Sequence, residues 1–136
     1  AGVIVIGGNY GWLGVRKTDK KQELVFSESF TKEGTVGEKV LKCIPLAKDT
    51  QEIWLGIQIR RTESVNAVFS YSLDGEKYRE IDQTITLAPH TWVGAKTGLF
   101  SVACDQKSHD GSVDFSDVHY ENPDKEPDLR MRILTL

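Results

Sequence analysis

The chain has 136 residues, of which 39% are hydrophobic and 27% charged, with a formal net charge of -3. That is the size of one domain, long enough for a hydrophobic core and too apolar for a disordered chain. The mild acidity and the lack of a basic stripe argue against a nucleic-acid partner, and no apolar run approaches the ~20 residues of a membrane-spanning helix.

The chain opens with "AGVIVIGG" (residues 1–8), a continuous apolar run without the basic flank of a signal peptide. It reads as a buried strand over 3–6. A core strand entered with no lead-in predicts a domain that is incomplete at its N-terminal side. Gly7, Gly8 and Asn9 are turn residues, and "YGWLGVR" (10–16) follows as a second strand. "RKTDKK" (16–21) reads as a solvated turn. "ELVFSE" (23–28) and "EKVLKC" (38–43) predict two short strands separated by "TKEGTVG". In "EIWLGIQIR" (52–60), Ile53, Leu55, Ile57 and Ile59 share one face, and Trp54, Gln58 and Arg60 the other. That alternation is the mark of a half-buried strand.

"FSYSLDGEKYREI" (69–81) is a hairpin signal. Phe69, Tyr71 and Leu73 are in phase for a core face, Asp74-Gly75 supplies a positive-φ turn, and "KYREI" returns. The tyrosines here are therefore expected to be scaffold. "TGLFSVAC" (97–104) and "SVDFSDVHY" (112–120) complete the set. No window holds a helical period for three turns. Short strands at intervals of about 8–12 residues predict an all-β sandwich of jelly-roll type. Residues 1–121 are expected to form this domain. Residues 122–136 read as a linker-like tail in which "LRMRILTL" could form a final strand or be an addition.

No G-x-S-x-G, H-E-x-x-H, C-x-x-C or phosphate-binding glycine loop occurs, and the three histidines share no metal-ligand spacing. Cys43 and Cys104 each end an apolar run, which allows one disulfide or two buried thiols and leaves the compartment open. "CDQKSHDGSVDFSD" (104–117) clusters Asp105, Asp110, Asp114 and Asp117. Its spacing is not that of an EF-hand, and it reads as a solvated loop, with Asp105, Asp110 and Asp114 as weak candidate calcium ligands. No other cofactor is expected.

The tryptophans carry the binding signal. Sugars have apolar CH faces and hydroxyl rims, so their sites pair a flat aromatic ring with amide, hydroxyl or carboxylate groups. Trp54, in phase with Gln58 and Arg60, fits such a face, as does Trp12 close to Tyr10. Trp92, in "PHTWVGAK", lies in a loop entering a strand, where binding residues gather. The bland alternative is that both sheet faces are covered, one of them by another domain.

Taken in order, "NYGWLGVRK", "FSYSLDGEKYREI", "WVGAKTGLF" and "SVDFSDVHYE" resemble the C-terminal concanavalin-A-like β-sandwich domain of family 43 glycoside hydrolases, the β-xylosidase and arabinofuranosidase type. The resemblance covers residues 1–121. It implies two antiparallel sheets in a jelly-roll sandwich that here lacks its N-terminal strands, and an accessory role with no catalytic centre in this chain. The implied partners are a catalytic propeller, or a companion fragment of the same protein, and a plant-type polysaccharide or oligosaccharide. By position, Trp92 matches the loop aromatic that borders the substrate pocket in that family. One departure is Asp117, where the family commonly has an aromatic residue. The runner-up reading is an independent carbohydrate-binding module using Trp12 and Trp54. The compartment is left open between extracytoplasmic and cytoplasmic, with a slight lean to the former.

Overall fold

The computed structural model describes residues 1–88, 94–103, 111–122 and 126–134. Their elements are all strands: β1 (Gly2–Ile6), β2 (Tyr10–Lys17), β3 (Gln22–Lys32), β4 (Thr35–Leu46), β5 (Ile53–Arg61), β6 (Val65–Ser72), β7 (Arg79–Thr86), β8 (Lys96–Phe100), β9 (Asp114–Glu121) and β10 (Asp128–Leu134). They form two five-stranded antiparallel sheets, ordered β4-β3-β2-β1-β8 (sheet A) and β7-β6-β5-β10-β9 (sheet B). The expected all-β sandwich is the observed one.

Period-2 patterning builds the core. Val3 and Val5 of β1, Leu13 and Val15 of β2, and Leu24 and Phe26 of β3 point inward from sheet A. Opposite them stand Ile53, Leu55, Ile57 and Ile59 of β5, with Ala67 and Phe69 of β6 and Ile81 and Ile85 of β7. The rings of Phe26 and Phe69 meet across the two layers at 5.2 Å. The layers approach closely where Gly11 faces Ile85: a Cβ at Gly11 would stand 2.6 Å from Ile85 Cγ1.

Four local expectations change. The segment "TKEGTVG" does not separate two short strands; it is the middle of one long hairpin, β3–β4. Glu33 and Gly34 have φ of 53° and 78°, the paired positive values of the tight turn that matches strand twist. The β-branched Thr31, Thr35 and Val36 on either side let both strands run to the tip. Second, Gly75 has the positive φ expected of the turn (79°), but the connection is longer than the Asp74-Gly75 pair. The connection runs from β6 at Ser72 to β7 at Arg79 and is built on side chains. The buried Ser72 hydroxyl accepts the Gly75 N–H (2.9 Å), and Asp74 Oδ1 accepts the N–H groups of Glu76 and Lys77 (2.8 Å each). Leu73 therefore leaves the core face and is exposed, while Phe69 and Tyr71 keep their inward places.

Third, β8 is shorter than "TGLFSVAC" suggests, ending at Phe100. Fourth, Cys43 is an exposed free thiol rather than a buried one; it lies on β4, the edge strand of sheet A, paired with Val25. Cys104 lies outside the described residues.

The last strand has a structural role. β10 pairs with β5 on one side and β9 on the other, and Leu129, Met131 and Ile133 enter the core. The departure at Asp117 also has a local reason. The β9–β10 ladder slips between Arg130 and Arg132, and Asp117 sits in that bulge with φ 50°. Asp tolerates this left-handed conformation better than a bulky aromatic does.

Candidate functional site

Three surfaces could bind something. The first is the outer face of sheet A. Alternation that sends Leu13 inward sends Tyr10 and Trp12 outward, and the β2–β3–β4 pairing brings Glu38 beside them. Tyr10 donates its hydroxyl to Glu38 Oε1 (2.7 Å), and Trp12 donates its indole N–H to Glu38 Oε2 (3.3 Å). Partial burial, with the Glu38 carboxylate beside it, raises the Tyr10 pKa, so the phenol stays a donor. Trp12 also meets Phe100 edge-on at 5.4 Å. The result is an aromatic ledge around one carboxylate.

The second surface is the outer face of sheet B. Trp54, Gln58 and Arg60 lie on it as the alternation of β5 requires. Trp54 is braced: a Cβ at Gly75 would stand 2.8 Å from its ring, and the Arg132 guanidinium lies 5.4 Å from its ring centroid. Arg132 is itself held by Asp117 (2.7 Å) and donates to Ser116 Oγ (3.0 Å). Arg60 bridges its neighbours, donating to Gln58 Oε1 (2.9 Å) and to Glu80 Oε1 (2.6 Å). Beside Gln58 lies a small polar depression of about 120 Å³, walled by Ser70, Tyr78, Glu80, Asp128 and Arg130. Arg130 lies flat on the Tyr78 ring at 4.5 Å and reaches Asp128 at 3.4 Å. Burial raises the Tyr78 pKa, partly offset by Arg130.

The structure thus joins Tyr10 to Trp12, and Gln58 to Arg60, but places the two groups on opposite outer faces of the sandwich. Sequence reasoning did not single out Glu38, Ser70, Tyr78, Glu80, Asp128 or Arg130. They meet through strand register, as in Ser70↔Glu80, Gly56↔Ser70 and Gln58↔Asp128, and only a sequence already threaded onto the correct pairings would reveal them.

The third surface is the sandwich edge. At the β4/β7 side, Lys42 reaches Asp82 across the layers at 3.1 Å. At the β8/β9 side the core is open. Tyr120 pairs with Leu129 and so points inward, yet it is 56% exposed, because among the described residues sheet A ends at β8 and no strand faces it. A groove of about 490 Å³ results, lined by Ile59, Leu99, Tyr120, Pro127 and Leu129, with Ala95 and Lys96 at its rim. Val102 and Val118 are exposed large hydrophobics of the adjoining segments.

Trp92, and the calcium candidates Asp105 and Asp110, lie outside the described residues. Asp114 begins β9. The base of the Trp92 connection is described: Asn9 Oδ1 accepts the Ala88 N–H (2.7 Å) and Asn9 Nδ2 donates to the Thr86 carbonyl (2.9 Å). Among the described residues no three His, Cys, Asp or Glu side chains gather to hold a metal.

Comparison with known proteins adds two matches. The family model of the β-xylosidase C-terminal concanavalin A-like domain matches residues 1–121. A protein of Formosa agariphila named beta-xylosidase is 25% identical over 123 residues, covering 90% of this chain and 19% of that protein. The chain thus spans about a fifth of the relative it matches. No solved structure matches it significantly.

Proposed function

This chain belongs to the family of β-xylosidase C-terminal concanavalin A-like domains, the accessory domains of family 43 enzymes, and from that premise we propose that it works by docking its β8/β9 edge onto the catalytic part of the same protein. The parent protein would be a glycosidase acting on xylose- or arabinose-containing oligosaccharides, with its catalytic carboxylates on a propeller. The connection carrying Trp92 would then border the substrate pocket.

The open groove carries this reading. An inward-facing Tyr120 that stays half in water, in one groove with Leu99 and Leu129, is apolar surface that a domain working alone would close. The Trp92 connection leads directly into Ala95 and Lys96 on that rim, so docking there would carry the loop to the partner's surface.

The experiment uses the full-length protein. Tyr120→Asp with Leu99→Asp places two charges in the groove and should separate the domain from the catalytic part, read as faster limited proteolysis between them. Trp92→Ala should lower turnover of short substrates while leaving the domain's melting transition in place. Unchanged proteolysis in the double variant overturns the docking site. Unchanged turnover in Trp92→Ala overturns the pocket role.

A further inference from the structure

We propose that the outer face of sheet B carries a binding site for one neutral sugar unit, formed by Gln58, Ser70, Tyr78, Glu80, Asp128 and Arg130. The site is separate from the β8/β9 groove, so its failure would leave the docking reading untouched.

The argument starts from the floor. Gln58 and Arg130 are long side chains, but Gly56 between them and its partner Ser70 are small. A Cβ at Gly56 would stand 2.8 Å from Ser70 Oγ, so the depression exists because that Cβ is absent. Its volume of about 120 Å³ is well below a drug-sized pocket and suits the hydroxyl-bearing edge of a single ring.

The walls are set before any ligand arrives. Arg60 holds the Gln58 carbonyl oxygen and the Glu80 carboxylate at once, which fixes both side chains. With its oxygen taken, Gln58 has its amide N–H groups without a protein acceptor among the described residues. Ser70 Oγ likewise makes no hydrogen bond among them. Arg130 is flattened on Tyr78 and tethered to Asp128. Preorganisation of this kind lowers the entropy lost on binding.

The charge pattern selects the ligand class. Glu80 is balanced by Arg60, and Asp128 by Arg130, so the depression has no net charge to attract a phosphate or a uronate. What it offers is both donors (Gln58 amide, Arg130, Ser70) and acceptors (Asp128, Glu80, Ser70). Vicinal hydroxyls, each of which donates and accepts, are the natural complement. The ring of Tyr78 supplies apolar contact at one side.

The test is a titration of the isotope-labelled chain with D-xylose, D-glucose and D-glucuronate, followed by amide chemical shifts. A neutral sugar should shift the amides of Gln58, Ser70 and Arg130, and glucuronate should not bind more tightly than glucose. Gln58→Ala should weaken binding by about tenfold, the loss expected for one hydrogen-bonding partner. Glu80→Gln serves as a second variant that keeps the shape. Trp12→Ala, on the opposite sheet, should leave binding unchanged. Thermal melts establish that each variant is folded. Absence of shifts at high millimolar sugar, shifts confined to sheet A, or binding insensitive to both Gln58→Ala and Glu80→Gln would overturn the site.

Discussion

Ending the chain after Glu121 tests the place of β10, because the family match stops at residue 121 while the fold does not. The cut removes Leu129, Met131 and Ile133, which are 6%, 0% and 0% exposed. At about 1.5–3 kcal/mol for each buried side chain, the loss is about 5–9 kcal/mol. It also leaves β9 without a partner and turns β5 into an edge, since β10 lies between them. A domain of this size has a total stability of about 5–15 kcal/mol, so the shortened chain should not fold cooperatively. A gentler probe is Met131→Ala, which should cost about 2–5 kcal/mol by opening a cavity between the sheets. Urea denaturation followed by circular dichroism and tryptophan fluorescence measures both. Glu63→Ala, in an exposed turn, is the control and should stay within about 0.5 kcal/mol of the parent. A shortened chain that melts with the midpoint and slope of the full one would refute the reasoning, since β10 would then lie on the core without holding it.

Three further outcomes follow from single contacts. Backbone N–H groups of Lys77 and Glu76 hold the Asp74 pKa down at about 2, below the ordinary value near ~3.9. The ionised carboxylate therefore contributes stability that is fully present above about pH 4 and is lost as pH falls toward 2. Asp74→Asn should lower stability at pH 7 and flatten its pH dependence across that window, as equilibrium unfolding at a series of pH values will show. Gly11→Val should cost about 1–3 kcal/mol by driving a side chain into Ile85, and pairing it with Ile85→Ala should recover part of that loss in a double-mutant cycle. Asn9→Ala removes both bonds that hold Thr86 and Ala88; amide exchange should rise at Ala88 and the Trp92 connection, while the β5–β6 core keeps its protection.

What could be read in the sequence was whatever depended on alternation alone. The Ile53–Leu55–Ile57–Ile59 face, the burial of Phe69, and the two-sided character of the segment around Trp12 follow from period 2 and need no partner strand. Features that depend on pairing were harder. "TKEGTVG" is polar enough to pass for a loop, and only the two positive-φ residues at Glu33 and Gly34 reveal a turn that lets the strands continue. Leu73 has the right phase for the core, but the buried Ser72 hydroxyl gathers the turn around itself and carries Leu73 out. "LRMRILTL" alternates as well as any strand, yet nothing local says that it runs between two other strands rather than hanging from a sheet's edge. The candidate sites show the same limit. Tyr10, Trp12, Gln58 and Arg60 were recognisable as residue types on the right faces, whereas their working partners, Glu38 and Glu80, come from neighbouring strands.

The two lateral edges of the sandwich show what kind of partner the open groove can take. An open sheet edge can recruit an extra strand, and natural sheets block this with bulges, short strands and charge. Both strands at the groove are blocked in this way. β9 is interrupted by the bulge at Asp117, whose φ of 50° breaks the run of free backbone groups. β8 has only five residues and begins with Lys96. Backbone pairing is thus poorly served, while the inward side chains of Leu99, Tyr120 and Leu129 offer apolar contact. A surface that discourages strand addition yet exposes apolar side chains suits a folded partner that docks by its side chains. An extended peptide would have to find its hydrogen bonds on one short edge or one broken by a bulge. That distinction agrees with the docking proposed above, and it makes Tyr120, rather than any backbone group of β8 or β9, the residue whose change should matter most.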